Sequence, residues 1–66
     1  MLQFNGDRIK FARIYNGLTV NELATQLSIS PQAESQYEME KVAPQFDKLL
    51  LLSKILNFPI DFFLQK

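Results

Sequence analysis

The 66-residue sequence contains no cysteine, no histidine and no tryptophan. Without Cys and His there is no disulfide, no Ser-His or Cys-His nucleophilic pair and no zinc site built from those ligands. Most enzyme chemistry is thereby excluded, and no catalytic residue, metal or cofactor is expected. Glycine and proline are scarce, at two and three residues, while 47% of the chain is hydrophobic, so an ordered globular chain is expected rather than a disordered one. Charge of one sign is also missing: seven Lys and Arg balance seven Asp and Glu. No global field then favours nucleic acid, anionic lipid or an acidic partner, and any attraction must be local. The longest aliphatic run, residues 49–52, is far short of the roughly 20 apolar residues that span a bilayer, so no membrane helix is expected. The first eight residues lack a charged flank, an apolar stretch and a small-residue cleavage site, which makes the cytoplasm the expected location. A chain this short buries only about 60% of its unfolded surface and holds one core, so residues 1–66 are read as a single domain.

Turn formers or helix-starting residues divide the chain at 16–17, 28–31, 39–44 and 57–59. The first segment, about 6–15, places Ile9 and Ala12 on one helical face and ends at Gly17, a natural C-terminal stop. In the second, about 20–27, Thr19 and Glu22 form a capping box, and Val20, Leu23, Ala24 and Leu27 follow helical spacing. The third begins with Ser30 as N-cap and Pro31 in the first helical position, where its missing amide costs nothing, and runs to about Glu38. The fourth, about 45–57, has a stripe of Phe46, Leu49, Leu52, Ser53 and Leu56, with Leu50, Leu51 and Ile55 as apolar surplus outside it. A helix apolar over most of its circumference is normally covered on a second side. A short fifth helix is expected over 59–64. Ser53 and Lys54 do not form a catalytic pair, because helical neighbours do not face each other.

Segments two and three are separated by residues 28–30 alone, which forces a sharp crossing with Ile29 turned into the core between them. That is helix-turn-helix geometry, although spacing and periodicity leave an ordinary helical hairpin equally open. Further matches are spread over the chain: Arg8-Ile9-Lys10-x-Ala12-Arg13, Gly17-Leu18-Thr19-x-x-Glu22-Leu23-Ala24, Ser30-x-Gln32-x-x-Ser35-x-Tyr37-Glu38, Lys41-x-x-Pro44, and the leucine helix with its Asn57-Phe58-Pro59 stop. In this order and at these intervals the sequence resembles the phage-repressor-like, Cro-type or XRE-type helix-turn-helix proteins of bacteria and their phages.

The resemblance implies an all-α, compact five-helix lambda-repressor-like domain, with the helix-turn-helix unit at about 19–38 and its second helix in the major groove of double-stranded DNA. Pro31, Gln32 and Gln36 would then face the bases, and a glutamine amide can pair bidentately with adenine. Thr19, Val20, Asn21, Ser35 and Lys41 would contact phosphates. Arg13 and Glu38 would form a structural, partly buried salt bridge. The implied function is transcription regulation through sequence-specific DNA binding, with a homodimer on two half-sites. The opening 4–10 and closing 59–63 segments also resemble the leading domain of relatives that continue into a zinc metallopeptidase, so a further C-terminal domain is a possible extension; the peptidase itself would need histidines absent from this sequence.

Three departures from the family pattern carry physical consequences. Glu34 stands where an aliphatic residue packs inward, so either its carboxylate reaches the surface, with Ala33 and Tyr37 carrying the packing, or the third helix is marginal and shifted. Glu40 replaces a turn glycine, which would strain a left-handed C-cap. Residues 14–40 contain four acids, Glu22, Glu34, Glu38 and Glu40, and no Lys or Arg, a local charge of −4 that opposes phosphate binding. These features support an alternative function, a protein-interaction or dimerisation module that keeps the fold without DNA binding, using Leu50, Leu51, Ile55, Phe62 and Phe63 as its surface.

Overall fold

The computed structural model describes residues 4–64. Within them lie four α-helices, α1 Gly6–Tyr15, α2 Val20–Leu27, α3 Pro31–Glu38 and α4 Phe46–Leu56, followed by a 3-10 helix, Ile60–Leu64. The fifth segment is therefore a single tight turn of 3-10 geometry and not an α-helix, which fits five residues opened by a proline.

The helix starts follow from local chemistry. The Asn5 side chain accepts from the Arg8 amide at 3.3 Å. Thr19 and Glu22 satisfy each other's backbone amides, with Glu22 N donating to Thr19 Oγ1 at 3.1 Å and Thr19 N to Glu22 Oε1 at 2.8 Å. Ser30 Oγ accepts from the Ala33 amide at 3.0 Å, with Pro31 at the first helical position. Ser28 and Asn57 end α2 and α4 in the left-handed region, at φ of 58° and 60°.

The core is one cluster drawn from every element. Ile9 and Ala12 come from α1, Leu23, Ala24 and Leu27 from α2, Tyr37 from α3, Leu49, Leu52 and Leu56 from α4, and Phe63 from the 3-10 helix. Ile29, in the turn between α2 and α3, is partly buried against it. Each Leu, Ile or Phe side chain so removed from water contributes about 1.5–3 kcal/mol against the entropy of ordering the chain. Phe46 departs from the expected stripe: at the first residue of α4 it lies past the end of the buried row and is 65% exposed.

Side-chain to backbone hydrogen bonds join the helices around this core. Asn16 Nδ2 donates to Leu56 O at 3.0 Å, and Lys48 Nζ to Leu27 O at 2.8 Å, satisfying the carbonyl ends of α4 and α2. The first turn of α1 is pinned at both sides: Asn5 N donates to Phe63 O at 2.8 Å, and Gly6 N to Glu40 Oε2 at 2.8 Å.

That second contact explains two residues. Glu40 adopts the left-handed conformation at φ 60°, so the turn after α3 keeps its shape without glycine, and its carboxylate is tied to α1. At Gly6 a Cβ would stand 2.5 Å from Glu38 O and 2.6 Å from Tyr37 O, both backbone atoms that cannot swing aside. Gly17, by contrast, has open space and a φ of 71°. Gly6→Ala should therefore lower stability by about 1–3 kcal/mol through overpacking. Gly17→Asn, which suits a left-handed backbone, should change it by less than about 0.5 kcal/mol. Equilibrium urea unfolding of the two variants checks the contrast, and equal losses would contradict it.

Candidate nucleic-acid interface

Residues 28–30 hold α2 and α3 at a sharp crossing, with Ser28 left-handed and the Ile29 amide donating to Ala24 O at 3.0 Å. On α3, Pro31 and Ser35 lie one turn apart, as do Gln32 and Gln36 in the adjacent row. Pro31 and Gln32 are exposed, whereas Ser35 and Gln36 are half-buried. At the amino end of α2, Thr19 and Asn21 are exposed and Val20 is half-buried. The Thr19 amide is taken by Glu22, so the amides left pointing out of the first turn are those of Val20 and Asn21. Lys41 is exposed in the turn that follows α3.

An open groove runs between α1, the start of α2 and the end of α3, lined by Lys10, Val20, Ser35, Met39 and the acids Asp7, Glu38 and Glu40, with Arg13 at its floor. It brings Val20 and Ser35 together and adds Lys10 and Met39, which the linear pattern did not single out. Lys10 lies outside the helix-turn-helix unit in sequence, and only the packing of α1 against α3 carries it to this face. Its signals in the sequence were its place in the matched string Arg8-Ile9-Lys10-x-Ala12-Arg13 and a position on α1 away from the Ile9 and Ala12 row.

Arg13 and Glu38 form the central polar contact. Arg13 Nε donates to Glu38 Oε2 at 2.7 Å, Nη2 to Oε1 at 3.2 Å, and Nη1 to Leu18 O at 2.9 Å. The side chains are 11% and 8% exposed, and the hydrogen bond to Glu38 raises the pKa of the guanidinium despite the opposing effect of burial.

Glu34 follows neither of the two expected routes. Helix α3 is regular and capped, yet the Glu34 side chain is fully buried, and no donor among the described residues meets either carboxylate oxygen. Burial pushes its pKa up to about 9, reinforced by the hydrogen bond and negative charge of Glu38 and only partly opposed by Arg13. A protonated Glu34 can donate to the Glu38 carboxylate, which an ionised one cannot. The helix therefore accepts this residue as a neutral acid packed like a hydrocarbon. The neighbouring Tyr37 hydroxyl is raised too, first by burial and then by Glu34 and Asp47.

The charge count of residues 14–40 accordingly overstates the field at the surface. Glu34 is uncharged at neutral pH, Glu38 is neutralised by Arg13, Glu40 turns to the Gly6 amide and Glu22 folds into its capping box.

The apolar surplus is distributed differently from the expectation. Leu50 and Leu51 are 43% and 38% exposed, and Ile55 and Phe62 are half-buried. Phe63 is not a surface residue: it is fully buried, because the 3-10 turn points it into the core while its carbonyl receives the Asn5 amide. A second patch escaped the sequence pattern. Phe11 and Tyr15, on the outer face of α1, meet Phe58 at 6.2 and 5.7 Å between centroids, and Phe58 stacks on Phe62 at 4.7 Å. The Arg8 guanidinium lies 4.7 Å over the Phe62 ring.

Four short helices around one core, with the second and third joined by a three-residue turn, define an all-helical repressor-like domain containing a helix-turn-helix. The helix-turn-helix family model matches residues 9–63, and the chain belongs to that family. It is 39% identical over 61 residues to the HTH-type transcriptional regulator ImmR of Bacillus subtilis strain 168, covering 92% of this chain and 48% of ImmR. It is 35% identical over 60 residues to the SPbeta prophage-derived HTH-type transcriptional regulator YonR of the same organism, covering 91% and 56%. The chain thus spans about half the length of the curated relatives it matches. Among solved structures it superposes on the P22 c2 repressor in complex with a synthetic operator, with a TM-score of 0.86, 32% identity and 94% of each chain covered. SinR, the master regulator for biofilm formation, in complex with DNA, gives a TM-score of 0.78 at 26% identity, covering 86% of this chain and 95% of the chain in that structure. No helix among the described residues is long and apolar enough to cross a membrane.

The buried acid makes stability depend on pH with a definite sign. Its pKa is about 9 folded and near 4.5 unfolded, so between those values folding takes up a proton, and stability falls as pH rises. Thermal or urea unfolding should show a loss of up to about 1.4 kcal/mol per pH unit from pH 5 to 8. Glu34→Ile should flatten the profile and be the more stable protein at pH 8. A wild-type stability that rises over this range would exclude a protonated Glu34.

Proposed function

We propose that this chain is the double-stranded-DNA-reading domain of a cytoplasmic transcriptional regulator, with the unit at about 19–38 as its reader and α3 in the major groove. The observation that carries the reading is the face of α3 that Gln32 and Gln36 share: they lie one turn apart in one helical row, Gln32 exposed and Gln36 half-buried. Glutamine amides so placed can read adenine edges, and the Pro31 ring offers an apolar contact to a thymine methyl. The P22 c2 repressor, with the same frame, is seen in complex with an operator, which supports this orientation. The amides of Val20 and Asn21, the hydroxyls of Thr19 and Ser35 and the ammonium of Lys41 supply phosphate contacts, and Lys10 joins them from α1. Two copies would bind two half-sites about one helical turn apart, with exposed Leu50 and Leu51 available to the dimer contact.

The test is fluorescence anisotropy with duplexes selected from a random library, followed across a salt series. Gln36→Ala should weaken binding to the selected site by about 1–3 kcal/mol and relax preference at one base pair. Lys10→Ala should weaken all duplexes alike and reduce the slope of log K against log salt by about 0.9. A Gln36→Ala protein with unchanged affinity and unchanged preference would remove α3 from the groove.

A further inference from the structure

We propose that Glu34 is a positioning residue for α3: its proton holds that helix against α1 and α2, and loss of the proton frees α3 and releases DNA. The inference rests on the DNA-binding reading above. Glu34 is among the largest fully buried side chains, and both of its oxygens lack a donor. The groups that face it are few. From α1 comes Arg13, and from α3 itself come Glu38 and Tyr37. Helix α2 turns Leu23, Ala24 and Leu27 inward, none of them ionisable, and its one acid, Glu22, is held in the capping box. From α4, Asp47 acts on Tyr37, and Lys48 is bonded to Leu27 O.

Arg13 is the one cation that acts on Glu34 itself, since Lys48 is committed to Leu27 O, and all three of its guanidinium nitrogens are engaged, two on Glu38 and one on Leu18 O. An ionised Glu34 could gain a donor there only by breaking the bridge that fixes α3 to α1. Otherwise the charge must reach water, because a buried unpaired carboxylate costs several kcal/mol. Helix α3 has eight residues, so the movement that hydrates Glu34 also displaces Gln32 and Gln36. Burial and the adjacent Glu38 hold the proton until about pH 9, so the neutral state is the reading state.

The experiment follows three proteins, wild type, Glu34→Gln and Glu34→Ile, from pH 7 to 10. Anisotropy with a generic labelled duplex at about 50 mM salt reports binding, and backbone-amide NMR reports which helices keep their order. Wild-type affinity should fall on the order of tenfold by pH 10, as the protonated fraction falls, while α3 amides lose protection before those of α1 and α4. Glu34→Gln, which keeps a neutral donor, and Glu34→Ile, which fills the site with hydrocarbon, should both lose less than about threefold over the same range. Their loss also measures the contribution of lysine and tyrosine titration. Parallel pH curves for all three proteins would overturn the proposal while leaving DNA binding intact, and so would unfolding of every helix in one step. Absence of duplex binding by any protein at pH 7 would overturn the DNA-binding reading itself, and with it the release step.

Discussion

The bridge between Arg13 and Glu38 is the constraint on which the arrangement of α3 depends. Capping can start α3 and the turn at 28–30 can aim it, but neither fixes its far end. That end is set by a guanidinium that binds the last residue of α3 and, with its remaining nitrogen, the Leu18 carbonyl in the loop before α2. One side chain of α1 thereby references both halves of the helix-turn-helix. A pair this well shielded from water has little tolerance for losing one partner, since the survivor would be left as an uncompensated buried charge. The same carboxylate gives the proton of Glu34 somewhere to point. The buried acid and the bridge are thus one polar system in which each member depends on the protonation of the next.

Much of the fold was legible because its boundaries rest on short-range chemistry. Thr19 with Glu22, and Ser30 with Pro31, announce helix starts through groups three residues apart or less, and the structure begins α2 and α3 there. What was not legible depends on residues distant in sequence. Nothing near Gly6 in the chain says that the backbone of α3 will pass within contact of it. Phe63 looked like part of an exposed apolar end because periodicity over five residues cannot tell which side of a 3-10 turn meets a core built elsewhere. Phe11 and Tyr15 were silent for the same reason: their partners arrive from beyond residue 57.

The site shows the same division. The resemblance implied which side chains of α3 face outward, and the structure leaves Pro31 and Gln32 exposed and Gln36 half-buried, whereas the electrostatic character of the face could not be read from the sequence. A charge count along the chain predicts an acidic surface. The folded molecule instead takes two of the four acids off the surface, Glu34 as a neutral acid in the core and Glu38 in the bridge, and ties the exposed Glu22 and Glu40 to backbone amides. What remains outward on α3 is a set of uncharged hydrogen-bonding groups, with Lys10 and Lys41 and the exposed acids Asp7 and Glu40 around them.

The hydrogen bond from the Asn5 amide to the Phe63 carbonyl, with Arg8 Nη1 on the Phe62 carbonyl at 3.2 Å, clasps the two ends of the described chain together. Polypeptide joined before residue 4 and polypeptide joined after residue 64 would leave the domain side by side. Inserted into a longer chain, the domain would behave as a bead hung from a single point, adding almost nothing to the distance between its flanking segments. Tension on those segments would bear first on the clasp, and then, through Gly6 on Glu40 and Arg13 on Glu38, on the end of α3.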